Sequence, residues 1–164
     1  MQYYFTFYNS PLKQLTLVSD SINLTHVLVK QQLSDLKISN LTKNDNLQIF
    51  TKAKNWLDKY FSKQKPKISE LPLLPQGTEF QKIVWNILIT IPYGQTTTYG
   101  SIAKIIEKQT HKRMSAQAVG GAVGKNPIPI IIPCHRVIGA NSDLVGYSEG
   151  LDIKIKLLEL ENIL

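Results

Sequence analysis

Apolar residues fall into two rhythms along the N-terminal half of the chain, alternation first and helical repeat second. "QYYFTFYNSP", "KQLTLVSD" and "INLTHVLVK" are short β-branched and aromatic runs parted by turn residues, and they predict an antiparallel meander. In "DNLQIFTKAKNWLDKYFSKQ" the residues Leu47, Phe50, Ala53, Trp56, Leu57, Tyr60 and Phe61 recur at helical spacing, so a helix should cover one face of that sheet. Asp45 and Gln48 stand where a capping pair would open it. From 63 to 77, "KQKPKISELPLLPQG" is too rich in Lys and Pro for long regular structure and reads as a connector. The boundary falls near residue 75, giving an N-terminal domain of 1–75 and a C-terminal domain of 76–164.

Beyond the boundary the pattern is one of short helices. Thr78 and Gln81 form a T-x-x-Q capping box, and Phe80, Val84, Ile87, Leu88 and Ile91 make the apolar stripe of the helix it opens. "IPYGQTT" is a loop, and "TYGSIAKIIEK" a second helix. "MSAQAVGGAVGKNP" is a third, capped by Ser115 and ended between Gly124 and Pro127. Gly120 and Gly121 each cost about 1 kcal/mol inside a helix relative to Ala, so something offsets them. Two explanations stand level at this point: close helix packing in a core, or the second helix of a helix-turn-helix pressed against a phosphate backbone.

Composition narrows the chemistry. At 164 residues and 43% hydrophobic, the chain can bury one good core or two small ones. Its single cysteine excludes a disulfide framework and a multi-cysteine zinc site, which points to the cytosol. "MQYYFTFYNS" lacks the charged and apolar regions of a secretory signal, and no apolar run approaches the roughly 18 residues of a membrane span. A soluble, intracellular protein is expected. The net charge of +7 is unevenly spread: ten basic against six acidic residues in 1–79, seven against one in 80–136, and two against five in 137–164. The middle segment is therefore the place to expect an anionic partner such as nucleic acid.

That segment ends in "IIIPCHRVIG", where Cys134 follows Pro133 and precedes His135 and Arg136. A lone apolar cysteine is usually inert, but protonatable and cationic neighbours favour a thiolate. An unshifted thiol near about 8.5 is only a few per cent ionised at neutral pH, so full ionisation adds at most roughly thirtyfold. Most of any rate must come from holding an electrophile in line with sulfur. A cysteine hydrolase would need a base and an oxyanion hole, and no motif marks the latter. His26 and His111 have no motif around them; His135 is adjacent, but in an extended strand it would point to the opposite face.

"IPCHRVIG", with "GTEFQKIVW", "IPYGQTTTYGSIA", "AVGGAVGKNPIPIIIPCHRV" and "GYSEGLDIKIKLLELE", resembles the O6-alkylguanine-DNA alkyltransferase family in order and spacing. The likeness is strong over 75–161. It implies an α+β fold: a small N-terminal antiparallel sheet with a helix, RNase H-like, then a mostly helical winged helix-turn-helix domain carrying the active site. It implies an enzyme that acts once, moving an alkyl group from O6-alkylguanine, with O4-alkylthymine a further candidate, in a flipped-out base of double-stranded DNA onto Cys134. By the same likeness Glu161, His135 and a water form a relay to Cys134. Tyr99 bonds the flipped base and assists protonation of the leaving guanine. Asn126 ties the recognition helix to the active-site strand, Tyr147 and Ser148 wall the pocket, and Pro129 and Val137 shape its apolar side. The DNA-binding set is Thr98, Arg113, Gln117, Ala118, Gly120, Gly121, Lys125 and Arg136. No cofactor, metal or membrane is implied, and a cytoplasmic monomer is expected.

Two positions depart from the family pattern. Gln117 stands where "ARAVG" has the Arg that fills the gap left by the flipped base, and Gln lacks its charge and stacking area. Glu149 replaces the first Gly of "YSGG". These departures keep a second class open, a lesion-binding module that recruits repair factors without transfer. A third, a winged-helix regulator signalled by Cys134 alkylation, lacks a separate effector segment.

Overall fold

Alternation along β1 (Tyr3–Asn9) puts Thr6 and Tyr8 on the buried face of a sheet, and hydrogen bonds from these two side chains set what lies beside it. The Tyr8 hydroxyl donates to Asp58 Oδ1 (2.6 Å) on α1 (Gln48–Phe61). Thr6 Oγ1 donates to Asp45 Oδ1 (2.6 Å), just ahead of that helix. The computed structural model describes residues 1–164. β1 pairs antiparallel with β2 (Gln14–Ser19), and β2 with β3 (Leu24–Leu28), as the alternating runs predict. A short β4 (Leu41–Lys43) adds to the other side of β1 in parallel, giving the order β3-β2-β1-β4. Its three residues carry no alternation long enough to read.

In α1, Phe50, Ala53, Trp56, Leu57 and Tyr60 are buried, together with Ile49. The expected Asp45–Gln48 cap does not form: Leu47 occupies the N-cap without a side-chain bond, because Asp45 is engaged by Thr6 and by Lys43 Nζ (2.7 Å). The connector contains one turn of 3-10 helix, Ile68–Glu70.

The chain forms two units, 1–76 with 127–131 and 77–126 with 132–164. The short return of 127–131 to the first unit is not part of a single cut near residue 75. It contains Ile130, a buried β-branched residue at φ 74°, a left-handed conformation such side chains rarely adopt.

The second unit opens on α2 (Glu79–Ile89), where the capping box forms in both directions: Gln81 N donates to Thr78 Oγ1 (3.1 Å), and Thr78 N donates to Gln81 Oε1 (3.0 Å). α3 (Tyr99–Thr110) is capped by Thr98, whose Oγ1 accepts from Ser101 N (3.0 Å); α4 (Ala116–Gly124) is capped by Ser115, accepting from Ala118 N (3.0 Å). Trp85 of α2 donates its Nε1–H to Ala122 O on α4 (2.9 Å), fastening the two helices inside the core. β5 (Thr97–Thr98) pairs in parallel with β6 (Val137–Ile138), and α5 (Leu151–Leu160) closes the unit. No helix is long and apolar enough to cross a membrane.

Candidate active site

Pro133 determines how Cys134 is presented. Its ring fixes φ near the value of an inverse γ-turn, and at φ −82°, ψ 66° it makes one, with Cys134 N donating to Ile132 O (2.8 Å). Cys134–Arg136 then forms a 3-10 turn in place of the extended strand expected there. The turn lets neighbouring side chains serve separate environments: the Cys134 thiol lies on a cavity while His135 points into the core.

The cavity has a volume of about 650 Å³, within the range of small-ligand sites, and Cys134 lines it at 3% exposure. Its other walls include Tyr99 at the start of α3, Gln117 and Gly120 on α4, and Val145, Tyr147 and Ser148 on the loop before α5. A Cβ on Gly120 would sit 3.7 Å from the Tyr99 ring, so the absent side chain keeps space beside that aromatic. Gly121 meets nothing within 4 Å and is exposed, so core packing does not account for it.

Behind the thiol lies a buried ionic cluster. Glu161 Oε2 accepts from His135 Nε2 (2.5 Å) and Arg136 Nη2 (3.2 Å), and Oε1 accepts from Arg136 Nε (2.8 Å) and Gly94 N (3.0 Å). Burial works against ionisation of Glu161, but the bonds to His135, Arg136 and Gly94 prevail and hold it at about 2. For His135, burial is the largest influence and lowers its affinity for a proton. It is therefore neutral, and because a carboxylate can only accept, Nε2 carries the hydrogen and Nδ1 the lone pair.

Desolvation also dominates Cys134. It pushes the thiol up to about 11, with Glu149 adding to the rise, while hydrogen bonds from Asn126 and Tyr147 and the charge of Lys154 oppose it. The expectation of a thiolate stabilised by adjacent cations is thus overturned: Arg136 is spent on Glu161, and burial outweighs the remaining influences. At neutral pH the protonated thiol therefore predominates at rest. Burial and the nearby thiol likewise raise Tyr99, which keeps its phenolic proton and remains a donor.

Other expected site residues sort by position. Asn126 Nδ2 donates to Ile132 O (2.8 Å), joining the end of α4 to the segment that carries Cys134. Ala118, Arg113 and Lys125 are exposed on or beside α4, and Thr98 spends its hydroxyl capping α3. Arg136 is not on a DNA-facing surface: it is 6% exposed and also donates Nη1–H to Ile91 O (2.7 Å). Val137 is buried in β6 and Pro129 lies in the 127–131 return; neither lines the cavity, whose apolar walls are Val123 and Val145. His26 lies on β3 and His111 caps the end of α3; neither is a lining residue of the cavity. Sequence reasoning missed Lys154, fully buried on α5, although its phase with Ile153, Leu157 and Leu158 marks it as inward-facing.

Residues 3–75 match the ribonuclease-like domain of the 6-O-methylguanine DNA methyltransferase family, and residues 79–163 its DNA binding domain. The chain is 46% identical to a methylated-DNA--protein-cysteine methyltransferase of Methanosarcina mazei, over 96% of each protein. It is 40% identical to one of Haemophilus influenzae, covering 98% of this chain and 87% of that protein. Its fold is similar to the crystal structure of Mycobacterium tuberculosis OGT in complex with DNA, at TM-score 0.81 and 38% identity, with 98% and 92% of the two chains covered.

The site geometry makes two predictions. Alkylation of Cys134 by iodoacetamide should rise about tenfold per pH unit from neutrality toward about 11; a plateau near 8.5 would show an unshifted thiol. Arg136→Met should cost about 3–5 kcal/mol in urea unfolding, because it leaves a buried carboxylate uncompensated. The contribution of Glu161 is present above its ordinary value of 4.5 and is lost as pH falls toward about 2, so the variant should also unfold at higher pH on acidification.

Proposed function

This chain belongs to the 6-O-methylguanine DNA methyltransferase family, and from that premise we propose that it repairs DNA by moving an alkyl group from O6 of a flipped-out guanine onto Cys134. One observation carries the assignment of the acceptor: the chain's single thiol lines a cavity of about 650 Å³ together with Tyr99, which keeps its proton, and is followed in the chain by a neutral, buried histidine.

The reaction is an in-line displacement. Sulfur forms a bond to the alkyl carbon as the carbon–O6 bond breaks, and the electron pair stays with guanine. The thiol proton passes by way of a water to Nδ1 of His135, whose developing charge Glu161 stabilises through Nε2–H. Tyr99 donates to the departing guanine, which leaves as the neutral base, and the proton taken up by His135 restores the phenol. The product is a thioether, stable to water under mild conditions, so each molecule acts once. Proton loss costs energy at a thiol raised to about 11. Orienting the base against sulfur, worth about 7–11 kcal/mol in effective molarity, is large enough to exceed that cost.

DNA is the partner, and the α3–α4 pair is its binding element. Small residues at Ala118, Gly120 and Gly121 let the backbone of α4 approach a phosphate strand, and Arg113 and Lys125 supply charge. Gln117 on the cavity rim takes the place of the vacated base, with less stacking area than Arg. Glu149, beside the pocket, opposes a thiolate and restricts anionic adducts. The protein acts as a monomer in the cytosol, where a lone thiol stays reduced. A lesion-binding module without transfer is the weaker reading, since the acceptor thiol is present and lines the cavity.

Incubation with an O6-methylguanine duplex should add one methyl mass to the peptide containing Cys134, and Cys134→Ala should abolish transfer. Restored guanine with an unmodified peptide would rule the reading out. Gln117→Arg should raise the single-turnover rate on duplex DNA by up to about tenfold, through better filling of the gap, and leave reaction with free O6-benzylguanine unchanged.

A further inference from the structure

Lys154 is an ammonium-bearing side chain at 0% exposure, in the middle of the apolar stripe of α5. Taking such a group out of water is costly unless it is well bonded, and its bonds define what it does. Nζ donates to Val137 O (2.7 Å), on the strand just after the acceptor turn, and to Val145 O (3.1 Å), on the loop that walls the cavity. That loop runs from Gly139 to Gly150 with only a single 3-10 turn at Ala140–Ser142. Its ends are closed by backbone bonds, Gly139 N to Asp143 O (2.7 Å) and Gly150 N to Tyr147 O (2.9 Å). The bond from Lys154 holds its middle.

We propose that Lys154 is a positioning residue for alkyl transfer, pinning the pocket loop to the acceptor segment so that Val145, Tyr147 and Ser148 stand at a fixed distance from Cys134. The consequence for the reaction rests on the transfer reading given above; the clamp itself rests on the two carbonyl bonds. A methionine or leucine would satisfy the packing stripe but leave both carbonyls without this donor. The loop would then be free to move away from the thiol, and the cavity would lose one wall. The same cation also lies near enough to the thiol to favour its anion, so the clamp and the nucleophile share one charge.

The test is Lys154→Met in the full chain, read by amide hydrogen exchange, melting, and single-turnover transfer from an O6-methylguanine duplex. Exchange in residues 140–149 should rise at least tenfold while α2, α3 and α4 keep their protection, and the half-saturating DNA concentration should rise several-fold more than the limiting rate falls. Unchanged exchange in that loop, or exchange rising equally across the whole unit, would overturn the proposal. If Lys154→Met does not fold, Lys154→Gln, which keeps one neutral donor, should show the same localised loosening to a smaller degree; protection equal to wild type would again overturn it. Loosening of the loop in a protein whose wild type transfers no methyl would separate the two ideas, sustaining the clamp and removing the transfer reading.

Discussion

A carboxylate with almost no access to water governs the second unit. Glu161 is 3% exposed, and an isolated charge there would be prohibitive. It persists because Arg136 brings a fork of donors, Gly94 a backbone N–H, and His135 its Nε2–H. The partners come from two places in the chain, the adjacent His135 and Arg136 on one turn and Gly94 on the loop after α2, so satisfying one charge ties both to the end of α5. The loop after α2, the turn carrying Cys134 and the C-terminus of α5 meet at this point. The tautomer of His135 follows from the same arrangement: with Arg136 neutralising the carboxylate, the imidazole has no need to be charged, and its lone pair is left on Nδ1.

The cluster also explains why a reactive thiol can be buried. In the proposed reaction the cysteine is consumed, so it should not react with whatever passes, and desolvation pushes Cys134 up to about 11, where the anion is rare. Reactivity is thereby made conditional on an electrophile that fills the cavity and is aligned with sulfur. The protein supplies position rather than a standing thiolate. His135 and Tyr99 are both kept in their neutral forms by burial, the states in which the proposed reaction would use one to accept a proton and the other to donate. Two titratable groups with opposite tasks are set by one shared environment.

The legible parts of the sequence were those decided by local physics. Alternation gave the three-stranded meander, helical spacing gave the buried face of α1, and the capping box at Thr78 and the single cap at Ser115 form where the side chains demand them. Errors arose where a distant partner competed for a residue. Asp45 looks like a helix cap, yet Thr6 of β1 claims it from 39 positions away. Arg136 looks like a DNA contact in a basic segment, yet Glu161 claims it from 25 positions away. In an extended "IIIPCHRVIG" Cys134 and His135 would simply alternate faces, whereas Pro133 turns the chain there. Lys154 was legible in principle, since a lysine in phase with Ile153, Leu157 and Leu158 must face inward, but its carbonyl partners lie on β6 and on an irregular loop and leave no local mark.

The two glycines of α4 separate structural need from functional need. Gly120 lies beside the Tyr99 ring on the cavity, where a methyl group would make ordinary contact but take space from a bound base. Gly121 has open space where its side chain would be, so alanine would fit the fold and remove the entropic penalty of about 1 kcal/mol that glycine imposes on a helix. A residue that weakens the free protein and is not required by its packing is accounted for by what the exposed face meets. In a helix preceded by Arg113, followed by Lys125 and carrying Gln117 on the cavity, the proposed function supplies such a partner, a phosphate backbone brought close to the peptide chain. On that proposal the cost in helix stability is part of the same arrangement as the buried thiol: the exposed face of α4 would admit DNA closely, while Gln117, Gly120 and Val123 line the cavity on which Cys134 lies.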